Sequence, residues 1–300
     1  METRRLGRTE HRSSVAILGG AAFWDTESPD LARPHLEAAI AAGVNHLDIA
    51  PQYGMAERVV GPHVPDFRDS LFVAGKTLRS NPDGVVAQFD DTRRLLGCEV
   101  LDLYQAHGVV DIPTLDARSD AIDQIMALRH QGKTRFAGIT GHDLTAPATF
   151  SEALRRWDLD TVMFPVYPRL WADPRYRADA EALLATCAER DVGVMAIKAV
   201  ARRPWADGRP LGDALEGDPA TADRWALSWY EPVDTDEAIA RGVAFALSTP
   251  GVTAFCTPGD LELLPRVLAA AQSVAPMSDA DRAAATEAMA AEPIIFPIPR

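Results

Sequence analysis

Eight short apolar segments recur along the chain, and a stretch with helical spacing of its apolar residues follows nearly every one. The strand-like segments are SSVAILG (13–19), VNHLDIA (44–50), SLFVAGK (70–76), VLDLYQAH (100–107), TRFAGIT (134–140), DTVMFPV (160–166), GVMAIKA (193–199) and GVTAFCT (251–257). Helical spacing predicts helices over 31–42, 84–97, 118–131, 146–157, 174–190, 234–247 and 260–272. Alternating β and α over 300 residues implies a parallel sheet, and eight such units close most simply into a (β/α)8 barrel of the TIM type. The competing open, doubly wound sheet usually carries G-x-G-x-x-G after its first strand, and that spacing is absent. A single α/β barrel domain over residues 1–300 is therefore expected. Two segments exceed the repeat. Residues 199–233 form a long, polar, Pro-rich loop after the seventh strand, of the kind that usually carries function. Residues 278–292 begin with a Ser cap and read as an extra C-terminal helix, followed by PIIFPIPR, which cannot be helical.

Charge narrows the partners. With 30 basic against 43 acidic residues the net charge is −13, so the overall field repels phosphate backbones and anionic lipid. Neither nucleic acid nor a membrane surface is expected as a partner. The three cysteines, Cys98, Cys187 and Cys256, show no paired spacing, which fits a reducing cytoplasm. No apolar window approaches the roughly 18 residues of a membrane span, and no signal peptide is evident. The histidines include no H-x-H after the first strand and no H-E-x-x-H, so a metal-dependent hydrolase is set aside and no metal is expected.

In such a barrel the chemistry sits at the C-terminal ends of the strands. Asp48 lies near the end of the second strand, Lys76 ends the third and His107 ends the fourth, with Tyr53 on the loop after Asp48. Each has an ordinary structural explanation: a capped turn, a solvated strand end, a satisfied core histidine, a plug in the barrel mouth. Together they suit proton transfer to a carbonyl oxygen. An ammonium beside a phenol favours phenolate and lowers its pKa, Asp48 would hold that ammonium, and His107 would orient the oxygen. None of the four can supply hydride, so a redox cofactor is implied.

The segments METRRLGRTEHRSSVAILGGAAFW, GVNHLDIAPQYGMAERVVG, AGKT, LDLYQAHG, RFAGITGH and TPGVTAFCTPG together resemble the aldo-keto reductase superfamily over nearly the whole chain. The resemblance implies an NAD(P)H-dependent oxidoreductase that interconverts an aldehyde or ketone with an alcohol, with Asp48, Tyr53, Lys76 and His107 as catalytic tetrad and Tyr53 as general acid or base. It implies that RRLGRT belongs to an N-terminal β-hairpin closing the barrel bottom. It further implies cofactor contacts at Gly20, Asp48, Thr140, Gly141, Met163, Ile197, Lys198, Thr257, Gly259 and Arg266. Several of these depart from the family pattern. Thr140 replaces a Ser, Gly141 an Asn, Met163 a Gln and Ile197 an aromatic residue, and a thioether cannot replace an amide hydrogen bond. Lys198 is a candidate for cofactor phosphate or ribose, or else a lysine snorkelling from the rim. After the eighth strand Asp260 and Glu262 precede Arg266, so NADP(H) is favoured only slightly and NAD(H) stays open unless Arg202, Arg203 or Arg266 reaches the phosphate. Phe23, Trp24 and His107, with Tyr53 and one of Trp205, Trp225 or Trp229, are the expected pocket for a small carbonyl or alcohol substrate. A slow or non-catalytic NADP(H)-binding regulatory barrel is the alternative, and oligomeric state is left open.

Overall fold

The computed structural model describes residues 1–205 and 228–297. Strands β1 (Thr3–Arg5) and β2 (Arg12–Ser14) form an antiparallel hairpin with Thr3 opposite Ser14. The next seven strands are β3 (Ala16–Gly19), β4 (His46–Asp48), β5 (Phe72–Thr77), β6 (Leu101–Ala106), β7 (Thr134–Thr140), β8 (Thr161–Pro165) and β9 (Gly193–Ile197). A small ribbon, β10 (Ala201–Arg203) with β11 (Glu231–Pro232), stands at the foot of the long loop, and β12 (Ala254–Cys256) follows. The eight parallel strands β12, β3, β4, β5, β6, β7, β8 and β9 pair in that order and close into a barrel.

Alternation along the strands decides what fills it. Side chains at every second position face inward, and Ile17, Phe72, Ala74, Leu103, Met163, Met195 and Ala254 pack there as one buried cluster. Leu6, at the hairpin turn, is fully buried in the same cluster and plugs the bottom. The turn presses so closely on the start of β9 that a Cβ at Gly7 would sit 2.6 Å from the Asp191 carbonyl oxygen, and its φ of +49° also favours glycine.

Helices shield the outer face. Helix Pro82–Leu96 shows the pattern: Asn81 caps its start by accepting from the Gly84 N–H at 2.7 Å, Pro82 occupies the first turn, and Gly97 at φ +60° ends it. Its Val85, Phe89, Thr92 and Leu96 fall on one face and are buried against the barrel. Helices Pro29–Ala41, Ser119–His130, Ala146–Arg156, Pro174–Glu189, Asp236–Ser248 and Leu263–Gln272 complete the ring. The C-terminal helix, Asp279–Met289, starts with a reciprocal capping box between Ser278 and Asp281. The segment beyond it is not helical, and Ile295 and Phe296 are buried. No described helix is long and apolar enough to cross a membrane.

Candidate functional site

The C-terminal ends of β4, β5 and β6 carry the ionisable residues. Asp48 ends β4 and Lys76 lies one residue before the end of β5, both facing inward and each 1% exposed. They form an ion pair through Asp48 Oδ2. Burying either charge alone would cost several kcal/mol, so each makes the other tolerable. Gln105 on β6 donates from Nε2 to Asp48 Oδ1 at 3.0 Å, while its own Oε1 is buried without a partner. Cys256 at the end of β12 approaches Asp48 Oδ2 at 3.9 Å, and burial pushes its thiol pKa up. The carboxylate is therefore fixed on three sides.

Tyr53 comes over the pair from the loop after β4. The Tyr53 N–H bonds the Ala50 carbonyl at 3.1 Å and Gly54 takes φ +52°; a Cβ there would lie 2.6 Å from Trp24 Cδ1. The Lys76 ammonium then stands 3.2 Å from the Tyr53 hydroxyl and 4.8 Å from the centre of its ring. His107 packs edge-on to Tyr53 at a centroid distance of 5.8 Å, and its Nδ1 lies 3.4 Å from Gln52 Oε1. Trp229 completes the wall, 6.1 Å from Tyr53 and 5.9 Å from Trp24.

The electrostatics differ from the expected tuning in one respect. Burial pushes the Tyr53 phenol up to about 12; the charge of Lys76 pulls it down but does not outweigh desolvation. At neutral pH Tyr53 is thus a protonated acid rather than a phenolate. Burial opposes the Lys76 charge, yet the neighbouring Asp48 leaves its pKa raised above the usual lysine value. Burial, with Lys76 second, holds His107 well below the ordinary imidazole value, so it is neutral.

Above this group opens a cavity of about 580 Å³ lined by Asp48, Tyr53 and His107. Of the cofactor residues expected from sequence, Thr140, Gly141, Met163, Ile197, Lys198, Thr257 and Gly259 line it. Gly20 and Arg266 do not, nor does Phe23, expected in the substrate pocket. Gly20 is packed on Ile49, whose Cγ1 would meet an added Cβ at 2.6 Å, and Phe23 is fully buried in the core. Arg266 is tied to Asp236 Oδ1 at 2.6 Å and the Asp234 carbonyl at 2.7 Å. Arg202 and Arg203 pair with Glu231, and Arg202 also with Glu292. Asp260 accepts from the Glu262 and Leu263 N–H groups at 2.8 and 3.0 Å, so a carboxylate already fills the start of helix Leu263–Gln272.

Lys198 does not leave the rim. It adopts φ +68°, rare for a non-glycine residue, and its ammonium sits 4.9 Å from the ring centres of both Trp229 and Tyr230. Burial lowers its pKa to about 8. Trp24 and Trp229 line the cavity, Trp205 donates to the Ser228 carbonyl at 2.8 Å, and Trp225 lies outside the described residues. Sequence reasoning missed Gln105, Gln52 and Tyr230. Gln105 alone had a signal: in QAH it stands two before His107, on the same strand face.

The sequence model of the aldo/keto reductase family matches residues 16–232. An aldo-keto reductase of Mycolicibacterium smegmatis is 30% identical over 130 residues, which are 41% of this chain and 46% of that protein. L-galactose dehydrogenase of Arabidopsis thaliana is 28% identical over 158 residues, 47% of this chain and 49% of that protein. The chain spans about half the length of these relatives. Among solved structures, aldo-keto reductase AKR11C1 from Bacillus halodurans superposes with a TM-score of 0.70 over 97% of this chain and 98% of its own, at 19% identity, a likeness of fold. The chain belongs to the aldo/keto reductase family.

Proposed function

We propose that the protein interconverts an aldehyde or ketone with the corresponding alcohol, using a nicotinamide cofactor as hydride carrier and Tyr53 as the proton donor or acceptor. The observation that carries this reading is the Tyr53 hydroxyl, 3.2 Å from a lysine that is itself paired with Asp48, on the floor of a cavity shared with His107. Few arrangements put a protonated phenol and an ammonium where a carbonyl oxygen would rest.

The cavity's chemistry fits the cofactor. Met163 and Ile197 offer an apolar face to a nicotinamide ring, the Thr140 hydroxyl is a partner for its carboxamide, and Lys198 is a cation without a carboxylate partner among the described residues, suited to a phosphate. When bound, the reduced cofactor supplies hydride to the carbonyl carbon. The Tyr53 O–H proton passes to the carbonyl oxygen, and Lys76 stabilises the resulting phenolate. His107 can hydrogen-bond the same oxygen when its proton is on Nε2, the tautomer in which Nδ1 does not donate to Gln52 Oε1.

The test is a panel of aldehydes, ketones and alcohols, followed by the near-ultraviolet absorbance of the reduced cofactor, with NADPH and NADH in parallel. Turnover of a simple aldehyde such as 4-nitrobenzaldehyde supports the reading. Cofactor binding with no turnover across the panel would favour a regulatory barrel instead. With Arg202, Arg203 and Arg266 committed to carboxylates and Asp260 at the helix start, the two cofactors are expected to differ in kcat/KM by less than about tenfold. Lys198→Met should raise the KM of both by about tenfold or more, as loss of one charge-assisted hydrogen bond to the shared pyrophosphate requires.

A pH profile follows from Tyr53. Reduction needs the protonated phenol, which is retained until the pH nears its pKa of about 12, so kcat for reduction should stay flat across the neutral range. Alcohol oxidation needs the phenolate and should rise with pH, up to about tenfold per unit. No inflection from His107 is expected near the ordinary imidazole pKa, because that ring is already neutral. A reduction rate that falls through neutral pH would contradict the Tyr53 assignment.

A further inference from the structure

Arg118 lies at the junction of helices Ile112–Ala117 and Ser119–His130, on the loop that follows β6 and His107. It lines the cavity, and its Nη1 is buried with no hydrogen-bond partner. No carboxylate pairs with it among the described residues. The acids on the same loop are engaged elsewhere: Asp111 accepts from the Thr114 N–H and hydroxyl at 2.8 and 2.5 Å, and Asp116 pairs with Arg156 at 2.6 Å. Burial lowers the guanidinium pKa with no compensating anion, and the charge is close enough to His107 to depress that ring as well. An arginine keeps its charge under such conditions, so the cost persists until an anion arrives.

Position separates this cation from the residues given to the cofactor phosphate, although Thr140 on the neighbouring β7 is given to its carboxamide. In the barrel order β6 stands four strands from β12, diametrically across, and three from β9. Thr257, Gly259 and Lys198 follow β12 and β9; Arg118 follows β6, and Leu78, Val110 and Thr114 line the cavity as well. Asp48 is neutralised by Lys76, which leaves a positive cavity in a chain of net charge −13. We propose that the substrate is an aldehyde or ketone bearing a carboxylate, which Arg118 binds across the cavity from Lys198 while the carbonyl lies at Tyr53. This rests on the carbonyl-reducing reading given above. A planar carboxylate matches the guanidinium fork, and Leu78 and Val110 suit an apolar spacer between the two polar ends.

The experiment compares 3- and 4-carboxybenzaldehyde with their methyl esters, in wild type, Arg118→Gln and Arg118→Lys. In wild type at least one carboxylate should exceed its ester in kcat/KM by about tenfold or more. Arg118→Gln should remove that preference through KM while leaving ester turnover and cofactor KM within about twofold, and Arg118→Lys should keep part of it. Ester turnover shows that each variant is folded, and the wild-type preference is read without any variant. Turnover of both esters with no carboxylate preference in wild type would overturn the proposal and leave the carbonyl-reductase reading intact. Equal loss on acid and ester in Arg118→Gln, or a loss confined to cofactor KM, would overturn it as well. Reduction of other aldehydes of the panel but none of these four would overturn the proposal, and no turnover across the whole panel would overturn the underlying reading.

Discussion

Tyr53→Phe is expected to lower kcat for carbonyl reduction by about 10²- to 10⁴-fold, the usual contribution of a positioned proton donor. The substitution removes one oxygen, and with it the 3.2 Å contact to Lys76, while the ring keeps its edge-on packing on His107 and Trp229. Fold and stability should therefore change little, and cofactor affinity by less than about threefold. Steady-state rates on one aldehyde, with cofactor titration by fluorescence, separate the two effects. Wild-type kcat in the Phe variant would mean that the proton comes from elsewhere, His107 or water.

Asp48→Asn should affect both activity and stability. Asparagine preserves shape and can still contact Gln105, but it leaves the Lys76 ammonium buried without its anion, at a cost of about 3–5 kcal/mol. In wild type the Lys76 pKa is raised, so the pair's contribution is complete below the ordinary lysine pKa and declines only as pH climbs through the raised value. In the variant burial dominates and the lysine pKa falls. Stability should then increase with pH above neutrality, as the lysine sheds its proton, whereas wild type shows no such rise from this group. Denaturant melts at neutral and alkaline pH read the difference directly. With Lys76 partly uncharged, kcat should also drop by an amount approaching that of Tyr53→Phe, since the phenolate loses its stabilising charge. Equal stability of variant and wild type at neutral pH would contradict the buried pair.

The architecture was legible because its signal is repeated. Eight apolar segments separated by helical periods leave few ways to bury every face, and all eight became barrel strands. Asp48 and Lys76 stood out because charges in apolar strands require partners. Gln52 and Arg118 did not, since polar residues of those types are ordinary on loops and strand ends, and only the closed barrel brings them to one cavity. The resemblance implies a cofactor contact at Gly20 and a pocket wall at Phe23, but the 3-10 turn Gly20–Phe23 directs them into packing against Ile49 and the core. Arg266 is the first arginine after the eighth strand, where the resemblance implies a phosphate partner; it pairs with Asp236 instead. The direction of the Tyr53 shift was beyond sequence altogether, because it depends on how much desolvation outweighs one neighbouring charge.

Hydride transfer itself is read most directly with a labelled cofactor. Nicotinamide cofactor deuterated at the transferred position is incubated with the protein and an aldehyde, and the alcohol is examined by mass spectrometry. One deuterium on the carbinol carbon for each cofactor oxidised is the expected result, with formation of the labelled alcohol slowed in Tyr53→Phe to the same extent as kcat. Cofactor oxidation without labelled alcohol, or labelled alcohol formed equally fast without the Tyr53 hydroxyl, would contradict it.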